Sequence, residues 1–123
     1  MDLIEAYIAA AISLDALNRT GLDTNEAVAR NHQLADQLRH MAKAVEADHP
    51  ELKKAFFELL SHPNPAVRIW CAHHMLEVMS YEKKERKTAL QEIRSRAKQE
   101  YGEALWLKEW YADHPADKPF LKL

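Results

Sequence analysis

The stretch SHPNPAVR, Ser61–Arg68, decides the fold, because two prolines bracket one asparagine between two apolar runs. AFFELL precedes it and IWCAHHMLEVM follows it. Pro63 discourages continuation of the helix before it, and Pro65 restricts Asn64 to an extended backbone. Asn64 is then placed to cap the next helix, with Pro65 at its first position. The spacing predicts a tight reversal between two helices whose apolar faces meet with little loop entropy to overcome.

The flanks of the reversal carry matching stripes. Upstream, Pro50 suits a first helical position, with His49 or Asp48 as cap, and Leu52, Phe56, Leu59 and Leu60 point towards a core. Phe57 fills an adjoining gap, and packing accounts for the aromatic pair better than cofactor stacking does. Downstream, Val67, Trp70, Cys71, His74 and Val78 share one side, with Met75 and Met79 beside it.

Further out, the pattern stays helical. Leu3 to Asn18 reads as a first helix, with Leu3, Tyr7, Ala11, Leu14 and Ala10 or Leu17 on its core stripe and Ile4, Ile8 and Ile12 widening the apolar surface. The turn RTGLD leads into a second helix, for which Asp23 is the expected cap and Glu26 its capping-box partner. Residues 3–45 therefore form an antiparallel pair, with Val28, Ala35, Leu38, Ala42 and Val45 on the inward face and Leu34 and Met41 beside it. After Ser80 comes a basic helix with a limited seam of Leu90, Ile93 and Ala97. Gly102 marks a turn before a short helix from Glu103 to Tyr111, which closes the open end of the stack. The expectation is an all-α domain of five or six helices over residues 1–114, with 51–79 as its clearest hairpin. Residues 115–123 read as a short tail, with Phe120 and Leu121 docking back.

Composition agrees with that class. In 123 residues, 47% are apolar, enough for a core, and only two are glycine. The formal net charge of −2 gives no global attraction to nucleic acid or to an anionic membrane. The charge is unevenly spread, however. Residues 1–50 carry eight acids against four Lys/Arg, while residues 82–98 carry seven Lys/Arg against three acids. The opening segment lacks the basic start of an export signal, and no apolar run reaches the length of a membrane span. A soluble cytoplasmic protein is the expectation.

The hairpin ELKKAFFELLSHPNPAVRIWCAHHMLEVM resembles a HEAT-type helical repeat. Leu52, Phe56, Leu59 and Leu60 match the apolar side of that repeat's first helix. Pro63, Asn64, Val67, Arg68, Ala72 and Leu76 match positions around its turn and second helix. His62 and Asn64 stand where the repeat commonly has acids, which weakens the expectation of an Asp–Arg network between successive repeats. More widely, residues 26–112 resemble a small bacterial HEAT-like helical family of uncharacterised proteins, some of whose relatives resemble immunity proteins that neutralise toxins. Gly102, Ala104, Leu107, Glu109 and Trp110 carry the later part of that likeness. It implies an architecture and a partner-binding role, and it assigns no catalytic residue.

Enzyme chemistry finds little foothold in the residues. His73 and His74 are adjacent, so their side chains diverge by about 100° on a helix and do not chelate one metal. His73 with Glu77, or Cys71 with His74, gives two ligands where zinc needs more. Cys71 beside His74 is a conceivable nucleophile and base, but the cysteine lies on a packing face. No hydrolase elbow, P-loop, zinc-protease helix or dinucleotide fingerprint is present. No cofactor, metal site or catalytic residue is expected.

A partner-binding surface is the favoured expectation, with another protein, in the narrower version a toxin, as the partner. Its candidate residues are Lys83, Lys84, Arg86 and Lys87 on the basic helix, with Glu103, Trp106, Glu109, Trp110 and Asp113 on the last one. Trp anchors an interface and charged rims orient it, although the two tryptophans also suit a core seal. Toxin neutralisation would proceed by steric blockade, with Glu103, Glu109, Asp113 and Asp117 facing a basic cleft. Nucleic acid and membrane are not expected partners. A homo-oligomeric structural protein and a small enzyme with an unrecognised site are the alternatives.

Overall fold

The structure, a computed structural model, describes residues 2–119. Helix α1 (Leu3–Thr20) starts at Asp2, whose Oδ1 accepts the Glu5 amide at 2.8 Å. It ends at Gly21, which adopts a left-handed φ of 95° that strains any L side chain. Helix α2 (Asn25–Asp48) is capped by Thr24, whose Oγ1 accepts the Ala27 amide at 3.0 Å. The cap lies one residue later than the sequence suggests, because Thr24 and not Asp23 is the last extended residue before the helix.

The pair packs antiparallel, pinned near its turn by Asn31 Nδ2 donating to Asn18 Oδ1 at 2.6 Å. That register carries the first turn of α2 past the end of α1. Val28 is therefore exposed rather than inward-facing. Tyr7, Ala10, Ala11 and Leu14 are buried as their spacing implies, and Ile4 and Ile8 reach the core from its edge. Ile12 is exposed, since α1 is covered mainly by α2 and by the fourth helix on one side.

The proline-bracketed hairpin forms as read, with one difference in its first arm. Helix α3 (Lys53–Glu58) is a short α-segment between two 3-10 turns, Pro50–Leu52 and Leu59–Ser61. His62 must be extended because Pro63 follows it, and its ψ of 142° ends the arm. Helix α4 (Pro65–Glu77) then begins at Asn64, whose Oδ1 accepts the Ala66 amide at 2.8 Å, with Pro65 at the first position. Arg68 secures the turn. Its Nη1 donates to the carbonyls of His62 and Pro63, while Nε reaches Glu92 at 3.2 Å. Turn carbonyls and a carboxylate on the next helix thus replace the Asp partner that the turn lacks.

Helix α5 (Lys83–Ala97) packs on α4, and α6 (Tyr101–Asp113) packs on α5. Gly102 lies inside the first turn of α6, so the helix begins earlier than its glycine suggests. A Cβ there would meet nothing within 4 Å, which leaves no packing demand for glycine. Residues Pro115–Asp117 form a further 3-10 turn. Phe120 and Leu121, expected to dock back, lie outside the described residues.

Among the described residues the chain is all-α, with six α-helices packed in a helical-repeat-like arrangement. None of those helices is long and apolar enough to cross a membrane. The centre of the core combines Tyr7, Leu14, Leu38, Phe56, Val67, Cys71, Met75 and Ile93, each fully buried. Side chains of this size contribute about 1.5–3 kcal/mol each on burial, so α1 to α5 all share one stabilising interior. A polar tie closes the side near α3. Glu46 accepts the Ser80 amide at 2.9 Å and pairs with Lys53 at 2.9 Å. Tyr81 Oη donates to the Lys53 carbonyl at 2.7 Å.

Candidate functional site

The last three elements bring most of the polar chemistry together. On α4, His73 sits between two carboxylates, with Nδ1 3.0 Å from Glu77 and Nε2 2.8 Å from Glu103 on α6. Burial opposes its charge, but the hydrogen bonds to Glu103 and Glu77 outweigh that and raise its pKa to about 9. Near neutral pH His73 is therefore an imidazolium donating both N–H groups. Burial also works against the Glu77 carboxylate, yet His73 and the Trp106 indole hold its pKa below the usual range.

From His73 an aromatic ladder runs along α6. The edge of His73 meets Trp106 at 4.4 Å between centroids, Trp106 stacks on Trp110 at 4.9 Å, and Trp110 stacks on His114 at 3.8 Å. The lower end of the ladder holds the C-terminal turn. Asp117 Oδ2 accepts Trp110 Nε1 at 2.9 Å and Arg86 Nη2 at 2.6 Å. The Arg86 guanidinium also lies 5.9 Å from the Trp110 ring centre. What reads as a tail is thus latched to α5 and α6 through Asp117.

Between α5 and that latched turn runs a groove of about 360 Å³. Lys83, Lys87 and Arg94 line one side and Ala116, Lys118 and Pro119 the other, with the buried Leu90 at its base. Arg94 Nη1 donates to the Tyr111 hydroxyl at 3.0 Å. Among the described residues, none of these four cations has a carboxylate within ion-pair distance. The one acid lining the groove, Asp117, is engaged by Arg86 and Trp110.

The candidate residues thus divide into three groups. Lys83 and Lys87 line the groove. Glu103, Trp106, Trp110 and Arg86 bond inwards, where they fasten α6 and the C-terminal turn. Lys84, Glu109 and Asp113 are exposed and outside the groove. Lys118 and Ala116 escape a sequence reading, since nothing in their spacing ties this turn to a helix some thirty residues earlier. Arg94 and Leu90 had a legible signal: positions 83, 87, 90 and 94 fall on one helical face.

The residues weighed for catalysis are occupied differently. The Cys71 thiol donates to the Phe56 carbonyl at 3.2 Å, and burial pushes its pKa well up, with the Glu92 charge adding to the shift. A thiol so held is a poor nucleophile. His74 Nδ1 meets the Tyr7 hydroxyl at 2.6 Å, and burial lowers the imidazole to about 4. Cys71 and His74 are consequently bonded to separate partners. His73, Glu77 and Glu103 form a hydrogen-bonded row with the carboxylates on opposite ring nitrogens, a geometry unsuited to chelating a single ion.

The chain matches no family model, no curated protein and no solved structure. Function must therefore be argued from the site.

Proposed function

We propose that this chain is a non-catalytic protein-binding module built on a HEAT-like scaffold, with the groove beside α5 as its contact surface. The observation that supports this reading is a set of four cations with no carboxylate partner among the described residues, gathered around Leu90 beside a turn latched through Asp117. Unpaired cations at an interface rim orient an acidic partner, and an apolar floor supplies the desolvated contact that gives affinity. The ladder of Trp106 and Trp110 serves the surface by rigidifying α6, which lowers the ordering cost of association.

Toxin neutralisation by steric blockade is the narrower version, and it rests on the sequence resemblance alone. The charge of its contact surface is revised, since Glu103 and Asp117 are engaged internally and the groove is basic. In this version the chain would cover an acidic feature of the toxin.

The test is a comparison of tagged full-length chain with its K83E/K87E variant, each used to recover partners from its native cells, with the mass of any complex measured. The expected result is a defined heteromeric complex held by the wild type and lost by the variant, with circular dichroism unchanged. Equal recovery by both chains, or recovery of the chain alone as a concentration-dependent oligomer, contradicts the proposal.

A further inference from the structure

We infer that the groove between α5 and the C-terminal turn takes an acidic peptide segment bearing one apolar anchor, and that the Asp117 latch sets the groove's width. This deepens the protein-binding reading and rests on it.

Charge selects the ligand class. A second groove of the same size, about 360 Å³, also carries three arginines, but each is paired: Arg19 with Asp15, Arg68 with Glu92 and Arg96 with Glu100. That groove is self-neutralised and polar. Among the described residues the α5 groove has no such compensation, and Leu90 at its base is only 3% exposed and belongs to the core. Its volume lies at the low end of binding pockets, which run roughly 300–1,000 Å³. It has room for one apolar side chain with its flanking backbone, while carboxylates on either side reach Lys83, Lys87, Arg94 and Lys118. Among the described residues no aromatic ring lines it on which a nucleobase would stack, which favours a peptide over single-stranded nucleic acid as the occupant.

The latch gives the inference a signature that simple ion attraction lacks. Ala116 and Lys118 flank Asp117, so its bonds to Arg86 and Trp110 tie the far wall to α5 and α6. Asp117→Ala removes a negative charge from the groove. Pure electrostatic capture would then tighten, whereas a groove that needs its wall would bind more weakly.

The experiment measures fluorescence anisotropy of the full-length chain with a labelled peptide of four glutamates around one leucine. Parallel probes are the same peptide with serine in place of leucine and a single-stranded oligonucleotide. The leucine peptide should bind at least about tenfold tighter than the serine peptide, a difference of 1.4 kcal/mol. K83Q/K87Q should weaken it about tenfold, D117A should weaken it severalfold, and removal of residues 120–123 should leave it unchanged. Equal binding of both peptides, equal binding of the oligonucleotide, tighter binding by D117A, or a tenfold gain on removing 120–123 would overturn the inference. The last result would make the chain's own end the occupant. A native partner lost with K83E/K87E but indifferent to the leucine peptide would leave the module standing and sink only this ligand assignment.

Discussion

His73 and His74 are sequence neighbours with opposite fates. About 100° of helical rotation turns one towards the carboxylates of Glu77 and Glu103 and the other into the core against Tyr7. Their opposite pKa directions make stability depend on pH from both sides. His73 has a folded pKa of about 9, above the 6.5 of a free imidazole, so the native state binds its proton more tightly. Its contribution is full below pH 6.5 and is lost as pH rises through 9. His74 has a folded pKa of about 4, below 6.5, because burial disfavours its charge by more than Glu77 favours it, with His73 and Arg39 adding smaller repulsions. Its neutral form is stable above pH 6.5, and stability is lost as pH falls towards 4. Chemical denaturation across pH should therefore show a maximum near pH 6.5–7, with each limb worth on the order of 2–3 kcal/mol. His73→Gln should lower the maximum and flatten the alkaline limb, with a smaller change in the acid limb as His74 loses the repulsion of His73. An alkaline limb unchanged in that variant would remove the charged clamp from this account.

At the scale of elements, the hairpin carries its own test. Asn64 caps α4 through its side chain and receives no help from an acid at the turn. Asn64→Ala should cost about 1 kcal/mol, which in a domain of this size is a fall of roughly 3–6 °C in Tm. A loss below about 0.3 kcal/mol would mean the prolines alone set the reversal. This hairpin was legible because proline, asparagine and a helical apolar period act locally. The α1–α2 pair was legible for the same reason, apart from Val28 and Ile12. Their exposure depends on how far α2 overhangs α1 and on which sides of α1 are covered, facts that no single helix contains. The site was less legible. Lys83 and Lys87 could be nominated as a basic face, but Glu103, Trp106 and Trp110 have the composition of an interface and serve as internal fastenings. That distinction lies in contacts between α4 and α6, thirty residues apart, and in a C-terminal turn whose role is visible only once Asp117 meets Arg86.

Across the whole molecule, charge and packing point the same way. The acidic first 50 residues fold into α1 and α2, and the excess of cations falls on a different element, α5. Such a separation steers an approaching partner more than it adds to affinity, and salt weakens it. The core shared by α1 to α5 keeps that polarity fixed, and the aromatic ladder extends the rigid body to α6. The direct measurement is the set of backbone amide shifts of the isotopically labelled full-length chain during titration with the leucine-centred acidic peptide. The account predicts saturable shifts concentrated at Lys83, Lys87, Leu90, Arg94 and residues 116–118, diminished by added salt. Shifts centred instead on the exposed Tyr101 and Leu105 of α6, on the Ile12 edge of α1, or absent altogether would contradict it.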